Sequence, residues 1–386
     1  MFGGHLFFSL KVWCIGFMSC SGRALILSVG YGAGHHAAAR AVAEELESRS
    51  WQTYTLDPCL VAHPLLFELS RRFYQFCVRQ VPWLWGVTYS QTGTADWSVK
   101  AHSFILSDVT ECIVEHVRNI RPHVIICTYP LFAHMLDTLT REKVLNVPYV
   151  VVVTDSLEIS RPWMVTQAPY ICLPDEYSLK LMSERYAISA ERMRLTGFPV
   201  RQAFVRVAEG GAHVPTQDNL RLIYGAYAPL SRVRADLTAL TSHYPNVRIT
   251  VIAGERRKAL MEFNRDGVEV LSHTDNMAEL FAQSHFYIGK AGAATLFEAY
   301  AAELPVIVNY SLPGQEEGNL ALLLLDGAGI TAESASELIT KLNRLLKDGA
   351  TGWKRLKRAM KSAGRVGGAR RIADMLEEII LYEQKG

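Results

Sequence analysis

The sequence has no C-x-x-C pair and no cysteine after residue 172, so the ligand spacing typical of a zinc site is missing. Its seven cysteines are odd in number and scattered along the first half of the chain, which does not suit a disulfide framework. Several lie in apolar surroundings, as in Val124–Cys127. We therefore expect buried, reduced thiols in a cytosolic protein, with neither a zinc site nor disulfide bonds.

A large charge excess is also missing. Forty Lys and Arg against 38 Asp and Glu leave +2 over 386 residues, which argues against a generic nucleic-acid-binding protein. The charge is unevenly placed, because residues 341–371 hold eleven basic residues and one acid, Asp348; +2 less this local +10 leaves −8 elsewhere. Such a block favours an anionic surface as a partner, although a charge run is more often a solvated helix face.

The apolar amino-terminal stretch lacks the length of a membrane-spanning helix and the basic segment of a signal peptide, and Lys11 interrupts it. Met18, followed by small polar residues and then a strand, is typical of a natural start. Two interpretations of residues 1–17 stay open: a start placed too far upstream, or a loose extension that touches a membrane.

Eight short runs rich in β-branched residues predict buried strands with helix-length segments between them. Because the runs do not alternate apolar with polar residues, they predict parallel sheets covered on both faces, and therefore an α/β fold of two doubly wound, Rossmann-like domains. The predicted strands are Ala24–Val29, His123–Cys127, Tyr149–Thr154, Tyr170–Leu173, Leu220–Tyr224, Arg248–Ala253, His285–Ile288 and Pro305–Asn309. The predicted helices include His36–Arg49, Ser103–Ile120, Arg232–His243 and Ala294–Ala302.

A polar stretch rich in Gly and Pro, residues 208–217, separates two copies of this pattern and predicts a linker. We place the first domain at 22–205, the second at 217–360, and a basic and amphipathic tail at 361–386. Two facing domains leave a cleft at the carboxyl ends of both sheets, where ligands of such folds bind. The amphipathic part of the tail is free to pack on either domain.

The first predicted strand leads through Gly30 and Gly34 to His35 and a strong helix former. Glycines at such a junction let a ligand approach the backbone, but His35 stands where the dinucleotide fingerprint has its last glycine. A histidine at the mouth of a cleft suits a general base near neutrality. For an isolated histidine, helix capping or simple solvation is the more common role.

Residues 289–299 form a second candidate site, directly after a predicted strand. Lys290 precedes Gly292 and Thr295, which lie at a helix start where free N–H groups favour a phosphate. Glu298, one turn further on the same side, is placed to accept two hydrogen bonds from a ribose diol. A capping box of Thr295 and Glu298 needs the same residue types, and the segment alone does not separate these two interpretations.

Two other strand ends carry polar side chains. Gln315, Glu316 and Asn319 follow a Pro-Gly turn and suit recognition of a polyhydroxylated ligand, or else form a solvated turn and helix start. Asp155 ends the predicted strand Tyr149–Thr154, where a buried aspartate often only caps a loop.

Five short motifs occur in a fixed order between Arg23 and Asn319, which is most of the chain. They are Gly34-His35-x-Ala37-x-Ala39, Val153-Thr154-Asp155, Thr196-Gly-Phe-Pro-Val200-Arg201, Lys290-x-Gly292-x-x-Thr295-x-x-Glu298-Ala299 and Gly314-Gln315-Glu316-x-Gly318-Asn319. Their order and spacing together resemble the monogalactosyldiacylglycerol synthase and processive diacylglycerol glucosyltransferase family, related to the peptidoglycan glycosyltransferase of the lipid II pathway.

This resemblance implies the GT-B fold, with an interdomain cleft and a sugar nucleotide held mainly by the second domain. It makes His35 a general base or acceptor-site residue, and we assign Asp155 to the catalytic group with it. The implied reaction is inverting transfer of a hexose from a UDP-sugar to a lipid hydroxyl, with no cofactor and no obligatory metal. The residues assigned to the donor are Lys290, Gly292, Thr295, Glu298, Gln315, Glu316 and Asn319.

Three positions depart from the family's pattern. The glycine triplet before the histidine is here Gly32-Ala-Gly34, and the family's G-P-G-T is Gly292-Ala-Ala-Thr295. The loop after the first strand of the second domain contains Tyr227 and Pro229, which limit backbone access and remove an N–H donor. These departures motivate an alternative function, a non-catalytic sugar-nucleotide-binding protein; another is an enzyme of this fold with a polyprenyl or cell-envelope acceptor.

A lipid acceptor requires contact with a membrane. Residues 63–89 combine aromatic and basic side chains such as Arg71, Trp83 and Trp85, as suits the headgroup level, although an ordinary core helix is a serious alternative. The basic residues 354–371 are a second candidate. We predict a peripheral protein on the cytoplasmic face of the membrane, whose partners are a UDP-sugar, a diacylglycerol-like lipid and an anionic membrane surface, without nucleic acid.

Overall fold

Two α/β lobes, each built on a six-stranded parallel sheet, make up the computed structural model and confirm the predicted fold class. The candidate extension at 1–17, the aromatic residues Trp83 and Trp85, and Gln315 lie outside the described residues. The structure describes residues 22–30, 33–80, 104–157, 159, 161–164, 166–208, 213–312 and 316–383.

The sheet of the first lobe has the strand order β2-β1-β3-β4-β5-β6. Its strands are β1 (Arg23–Leu27), β2 (Gln52–Leu56), β3 (Val124–Cys127), β4 (Tyr149–Val152), β5 (Tyr170–Leu173) and β6 (Met193–Leu195). The helices among the described residues of this half of the chain are α1 (Ala33–Ser48), α2 (Pro58–Ala62), α3 (Pro64–Gln80), α4 (Phe104–Ile120), α5 (Pro130–Arg141), α6 (Arg161–Met164), α7 (Glu176–Tyr186) and α8 (Gln202–Ala208).

The sheet of the second lobe has the order β12-β11-β10-β7-β8-β9. Its strands are β7 (Arg221–Gly225), β8 (Arg248–Ile252), β9 (Val268–Leu271), β10 (Phe286–Lys290), β11 (Val306–Tyr310) and β12 (Gly329–Thr331). The helices that follow are α9 (Leu230–His243), α10 (Arg257–Leu260), α11 (Met277–Gln283), α12 (Ala293–Ala301), α13 (Glu317–Leu325), α14 (Ala335–Ala363) and α15 (Gly368–Glu383).

Alternate residues of β1 enter different cores. Leu25 and Leu27 pack on one face of the sheet, and Ala24 and Ile26 pack on the other. Both sides of the strand are therefore covered, which explains a continuous apolar run without alternation. All eight predicted strands are present, with ends within two residues of the prediction.

The four strands that the sequence did not reveal, β2, β6, β9 and β12, are the four edges of the two sheets. An edge strand has one neighbour and is partly solvated, so its residues need not be apolar. The burial of β2 shows this, because only Leu56 among its five residues is buried.

Helix α15 returns to the first lobe, which resolves where the tail packs. Its residues Ile372 and Leu376 lie in the same apolar cluster as Ile26 and Val42. The start of α15 packs closely on the segment that contains Phe198, because a Cβ on Gly368 would lie 2.2 Å from the Phe198 carbonyl oxygen. The carboxyl-terminal helix therefore ties the two lobes together.

Much of the basic block is part of the folded structure. Arg365 is buried and its Nε lies 2.6 Å from Asp326 Oδ2, while Lys361 lies 3.7 Å from Glu303. Arg344, Lys354 and other members are exposed on α14. Within the described ranges, no helix is both long and apolar enough to cross a membrane.

The described cysteines are free thiols, and all but Cys59 are buried, which their apolar surroundings in the sequence predicted. Burial raises the pKa of Cys127 and that of Cys172 to about 12, so both remain protonated at neutral pH.

Candidate active site

The loop after β1 places His35 in the first turn of α1, at the carboxyl ends of β3 and β4. The ring is half-buried, and its Nδ1 lies 2.9 Å from the Thr154 hydroxyl oxygen. Tyr129 meets the imidazole edge to face, with ring centroids 5.1 Å apart, and the Trp163 ring lies 6.4 Å away. Residues from two strand ends and from helix α6 thus surround one imidazole.

The structure brings His35 and Asp155 together, as the sequence analysis assigned them. Burial lowers the pKa of His35 below 6.5, because it disfavours the imidazolium; the Asp155 charge and a hydrogen bond with the Thr128 backbone act in the opposite direction. The Trp163 indole N–H donates to Asp155 Oδ2 at 2.9 Å. A neutral imidazole beside a held carboxylate can take up a proton and have the resulting cation stabilised.

The neighbouring histidine has a structural role. His36 Nδ1 lies 2.9 Å from the Ser28 hydroxyl, and Asp57 accepts hydrogen bonds from the backbone N–H groups of Gly30 and Leu60. The contacts of His36 and Gly30 fix the backbone on both sides of His35. The bond from the Leu60 N–H makes Asp57 the N-cap of α2.

In the second lobe, helix α12 begins where the sequence predicted, with Gly292 as its N-cap and without a side-chain cap. The capping-box alternative is therefore wrong, because Thr295 lies inside the helix and not at its cap. The first N–H groups of α12 point away from the helix and are suited to an anion.

Glu298 lies near the junction of the lobes. Burial raises its pKa to about 7, although the charges of Arg201 and Arg40 act to lower it. Arg40 belongs to α1 of the first lobe, and Arg201 lies just before α8. Arg201 had no predicted role, and its only signal in the sequence is its place at the end of the motif Thr196–Arg201.

Lys290 and Glu316 form an ion pair beside the start of α12. Lys290 Nζ donates to Glu316 Oε1, and the other carboxylate oxygen accepts from the Leu312 N–H at 3.0 Å. Burial would lower the pKa of Lys290, but the Glu316 charge and hydrogen bond raise it above its ordinary value. A Cβ on Gly292 would lie 3.2 Å from the ammonium, which places this cation at the helix N-terminus.

Three buried polar atoms from the end of β11 to the first turn of α13 have no hydrogen-bond partner in the described structure: Asn309 Oδ1, Ser311 Oγ and Asn319 Oδ1. The Asn319 side-chain amide donates to the Ala291 carbonyl at 3.1 Å, which brings this residue to the end of β10. Buried polar groups normally have partners, so the Asn319 Oδ1 beside the end of β10 is available to a polar ligand, whereas the Asn309 amide donates to Tyr224 and Asp236 inside the lobe.

The loop between β7 and α9 differs from the family's glycine-rich loop, and its backbone groups are largely engaged within the protein. Arg256 donates to the backbone carbonyls of Ala226 and Tyr227 at 3.1 and 3.3 Å, and the Tyr227 N–H bonds to Gly225. The half-exposed Tyr227 ring lies 5.2 Å from Lys290 Nζ. An aromatic ring that contacts Lys290 of β10 therefore lies in the loop where a glycine-rich segment was expected.

Helices α1 and α12 pack against each other, which brings the two halves of the site together. Ala38, one turn after His35, shares an apolar cluster with Ala291 and Phe297. Phe297 stacks on Phe198 with ring centroids 4.6 Å apart. The structure thus joins the predicted catalytic and donor residues across one interface.

Trp163 is a site residue that sequence reasoning missed. It lies in the short helix α6, and no periodicity or motif marks it.

Among the described residues, no group of three or more His, Cys, Asp or Glu side chains is arranged to hold a metal ion. Metal independence of the reaction remains a prediction.

Comparison with known proteins gives two family matches. Residues 35–200 match the monogalactosyldiacylglycerol (MGDG) synthase family, and residues 225–376 match the glycosyltransferase family 28 C-terminal domain. A relative from Bacillus cytotoxicus, named processive diacylglycerol beta-glucosyltransferase, is 24% identical over 369 residues, 92% of this chain and 93% of that protein.

Solved structures agree on the fold. The glycotransferase of kitacinnamycin has a TM-score of 0.60 at 14% identity and covers 92% of this chain and 98% of its own. Acinetobacter baumannii MurG has a TM-score of 0.58, also at 14% identity, with 92% and 99% covered. These similarities show the GT-B fold.

Proposed function

We propose that this chain, a glycosyltransferase that resembles the monogalactosyldiacylglycerol synthase and processive diacylglycerol glucosyltransferase family, transfers a hexose from a UDP-sugar to the hydroxyl of a diacylglycerol-like membrane lipid. The observation that carries the proposal is the position of His35, which is held by Thr154, lies within the influence of the Asp155 charge and belongs to a helix packed against α12. One lobe thus offers a base, and the other offers an anion-binding helix start.

On the acceptor side, His35 takes the proton of the lipid hydroxyl as its oxygen attacks the anomeric carbon. The new C–O bond forms on the face opposite the diphosphate, the bond to UDP breaks, and the configuration inverts. Asp155 stabilises the imidazolium, which then returns the proton to solvent. General base catalysis of this kind contributes about 10²–10⁴-fold.

On the donor side, Glu298 accepts hydrogen bonds from the ribose diol, with Thr295 one turn before it. The start of α12 at Gly292 and the Lys290 ammonium stabilise the charge that develops on the leaving diphosphate. Both Glu316 carboxylate oxygens are engaged, so this residue acts on the donor by holding Lys290. Asn319, with its unpaired Oδ1, and Gln315 are assigned to the sugar.

The relative's name supports diacylglycerol as acceptor and glucose as the first sugar to test, because this chain spans nearly the whole of that protein. The reaction is proposed to need no cofactor and no metal, and the protein to act peripherally at the cytoplasmic face of the membrane. A non-catalytic sugar-nucleotide-binding protein is the second candidate, since in the loop where backbone donors were expected the Tyr227 N–H already bonds to the Gly225 carbonyl and Pro229 has no N–H.

The test is a transfer assay with purified protein, radiolabelled UDP-glucose or UDP-galactose, and vesicles that contain diacylglycerol or a polyprenyl phosphate. We expect labelled glycosyl-diacylglycerol, at a rate that EDTA leaves unchanged. Label on the polyprenyl lipid alone would replace the acceptor, and UDP binding without transfer to any lipid would favour the non-catalytic alternative.

A further inference from the structure

Tyr287 is a buried tyrosine of the second lobe that has no role in the proposed reaction. It belongs to β10 and is 3% exposed. Its ring lies beside Phe281 of α11, with ring centroids 6.1 Å apart, in the same apolar cluster as Ile223. A ring without a hydroxyl group would make the same apolar contacts, and burial of a hydroxyl group without a partner costs free energy of folding. The oxygen of this side chain therefore requires an explanation.

The Tyr287 side chain leans along its strand towards the carboxyl end of the sheet. A Cβ on Gly225, the last residue of β7, would lie 2.5 Å from the Tyr287 hydroxyl oxygen, and a Cβ on Gly289 would clash with the same atom. Glycine at both strand ends therefore leaves the space that this hydroxyl occupies. The hydroxyl lies at the carboxyl ends of β7 and β10, from which the chain leads into the start of α12.

No hydrogen bond joins the Tyr287 hydroxyl to another of the described residues. Burial raises the pKa of Tyr287 well above its ordinary value, and nearby acidic groups act in the same direction: Tyr227, Glu316 and Glu298. The hydroxyl therefore keeps its proton at physiological pH and offers an O–H donor. The three acidic groups belong to the loop after β7, to the N-cap of α13 and to α12, so the hydroxyl lies where the predicted donor-binding segments meet.

The loop after β7 has two N–H groups that are engaged within the protein and one position that has none. The Ala226 N–H bonds to the carbonyl at the end of β8 at 3.0 Å, and the Tyr227 N–H bonds to the carbonyl at the end of β7 at 2.9 Å. Pro229 has no N–H. Arg256 holds the carbonyls of Ala226 and Tyr227, which fixes the loop in this conformation. A diphosphate at the start of α12 therefore needs a donor from another element on this side.

The Tyr227 ring connects the Tyr287 hydroxyl with the cation at the start of α12. A Cβ on Gly225 would lie 3.0 Å from the Tyr227 ring, so both tyrosines meet above the same glycine. The centroid of the Tyr227 ring lies 5.2 Å from Lys290 Nζ. An O–H donor and an ammonium group are therefore close to one helix N-terminus. Together with the first N–H groups of α12, they suit the oxygens of a phosphate group.

We propose that the Tyr287 hydroxyl donates a hydrogen bond to the diphosphate of the sugar nucleotide, in place of a backbone N–H group of the loop after β7. The inference rests on the proposed function for its ligand. Tyr287 is then a donor-binding residue, and the loss of the family's glycine-rich loop is offset by a side chain from the neighbouring strand. A contact with the nucleoside and a purely structural hydroxyl are the other possibilities, and the experiment separates them.

The experiment compares the full chain with its variant Tyr287→Phe, which removes one oxygen and keeps the ring. In calorimetry the variant is expected to bind UDP about 10- to 100-fold more weakly, as expected for the loss of a hydrogen bond to a charged group. Its unfolding temperature without ligand is expected to stay the same or to rise, because the hydroxyl has no partner among the described residues. Uridine, which lacks the diphosphate, is expected to bind both proteins equally in NMR titrations.

The matched control is Tyr244→Phe, which removes a tyrosine hydroxyl that has a partner. Tyr244 is also buried in the second lobe, and its hydroxyl donates to Asn343 Oδ1 at 2.8 Å between α9 and α14. The opposite pair of results is expected for this variant: a lower unfolding temperature, because a hydrogen bond is lost, and wild-type affinity for UDP.

Wild-type UDP affinity of Tyr287→Phe would overturn the inference and leave the proposed function intact. A fall in unfolding temperature as large as that of Tyr244→Phe would show a structural hydroxyl, and equal weakening of UDP and uridine would place the contact at the nucleoside; either result also overturns the inference. A wild-type protein that binds no UDP would refute the donor of the proposed function as well. Weakened UDP binding by Tyr287→Phe, without transfer by the wild type to any lipid, would support the inference and refute the catalytic proposal alone.

Discussion

Burial acts in opposite directions on the pKa values of two titratable residues in the candidate site. It lowers the pKa of His35 and raises that of Glu298 to about 7, because in each case it favours the neutral form. The imidazole is thereby ready to accept a proton at neutral pH. The carboxyl group, by contrast, is only partly ionised until a ligand or a cation favours its charge.

His35→Ala is expected to lower kcat by about 10²–10⁴-fold and to leave UDP affinity unchanged, since the base contributes to the transfer step and not to donor binding. Stopped assays give kcat, and calorimetry gives the affinity. Asp155→Asn is the matched variant, expected to reduce kcat less. Turnover of His35→Ala at the wild-type rate would remove this residue from the mechanism.

The wild-type pH profile of kcat/KM is expected to show an acid limb with its midpoint below 6.5. The sign follows from the lowered pKa of His35, because the neutral base persists to lower pH than that of an ordinary histidine. A limb centred above 6.5 would contradict the assignment.

Glu298→Gln is expected to stabilise the protein at pH 8 and not at pH 4. The folded pKa of about 7 lies above the ordinary 4.5, so the glutamate favours folding fully only below 4.5, and this contribution is lost as the pH rises through 7. A displacement of this size corresponds to roughly 3 kcal/mol. Urea unfolding at both pH values measures it.

The same variant is expected to bind UDP more weakly, because an amide offers the ribose diol one acceptor oxygen in place of a carboxylate. Greater stability with wild-type UDP affinity would show a buried carboxyl without a ligand role.

At the scale of elements, the start of α12 was predictable and the sheet edges were not. The strand β10, Gly292 and the helix after it form a local pattern, and residues within a few positions of one another decide it. β2 and β9 carry polar residues because one side of each strand is solvated. Their sequences therefore resemble those of loops, and no pattern marks them as strands. Central strands were found because burial on both faces requires apolar residues throughout.

Gly292→Ala tests the helix start. The backbone there has φ −68°, so alanine causes no strain, but its Cβ would lie 3.2 Å from Lys290 Nζ. We expect UDP affinity about tenfold lower with an unchanged unfolding temperature, since the ammonium is displaced. Thr351→Ala, at an exposed position of α14, is a control for affinity. Unchanged binding by Gly292→Ala would separate this glycine from the diphosphate.

At the scale of the whole molecule, α15 joins the lobes. It follows the second lobe in sequence, yet its apolar side completes the core of the first, and Arg371 Nε donates to the Thr196 carbonyl at the crossing. The relative placement of His35 and α12 therefore depends on the last described helix as well as on the packing of α1.

Leu376→Ala is expected to destabilise the protein by about 2–5 kcal/mol, because a fully buried leucine leaves a cavity in this shared core. Leu325→Ala, at an exposed position, is expected to change stability by less than about 0.5 kcal/mol. Denaturant unfolding of both variants checks the difference. Equal stabilities would show that α15 adds little to the first lobe.

The sequence by itself determined the two parallel sheets, the glycine–histidine junction and the helix start at Gly292, since each depends on periodicity or on residues close together in the chain. Only the tertiary structure decided that Thr154 meets an imidazole 119 positions away, that Glu316 holds Lys290, and that Leu69 and Phe73 of α3 are exposed. Such contacts depend on how helices and sheets pack. Apolar residues form the same pattern in a sequence whether their side chains are buried in the core or exposed on the surface.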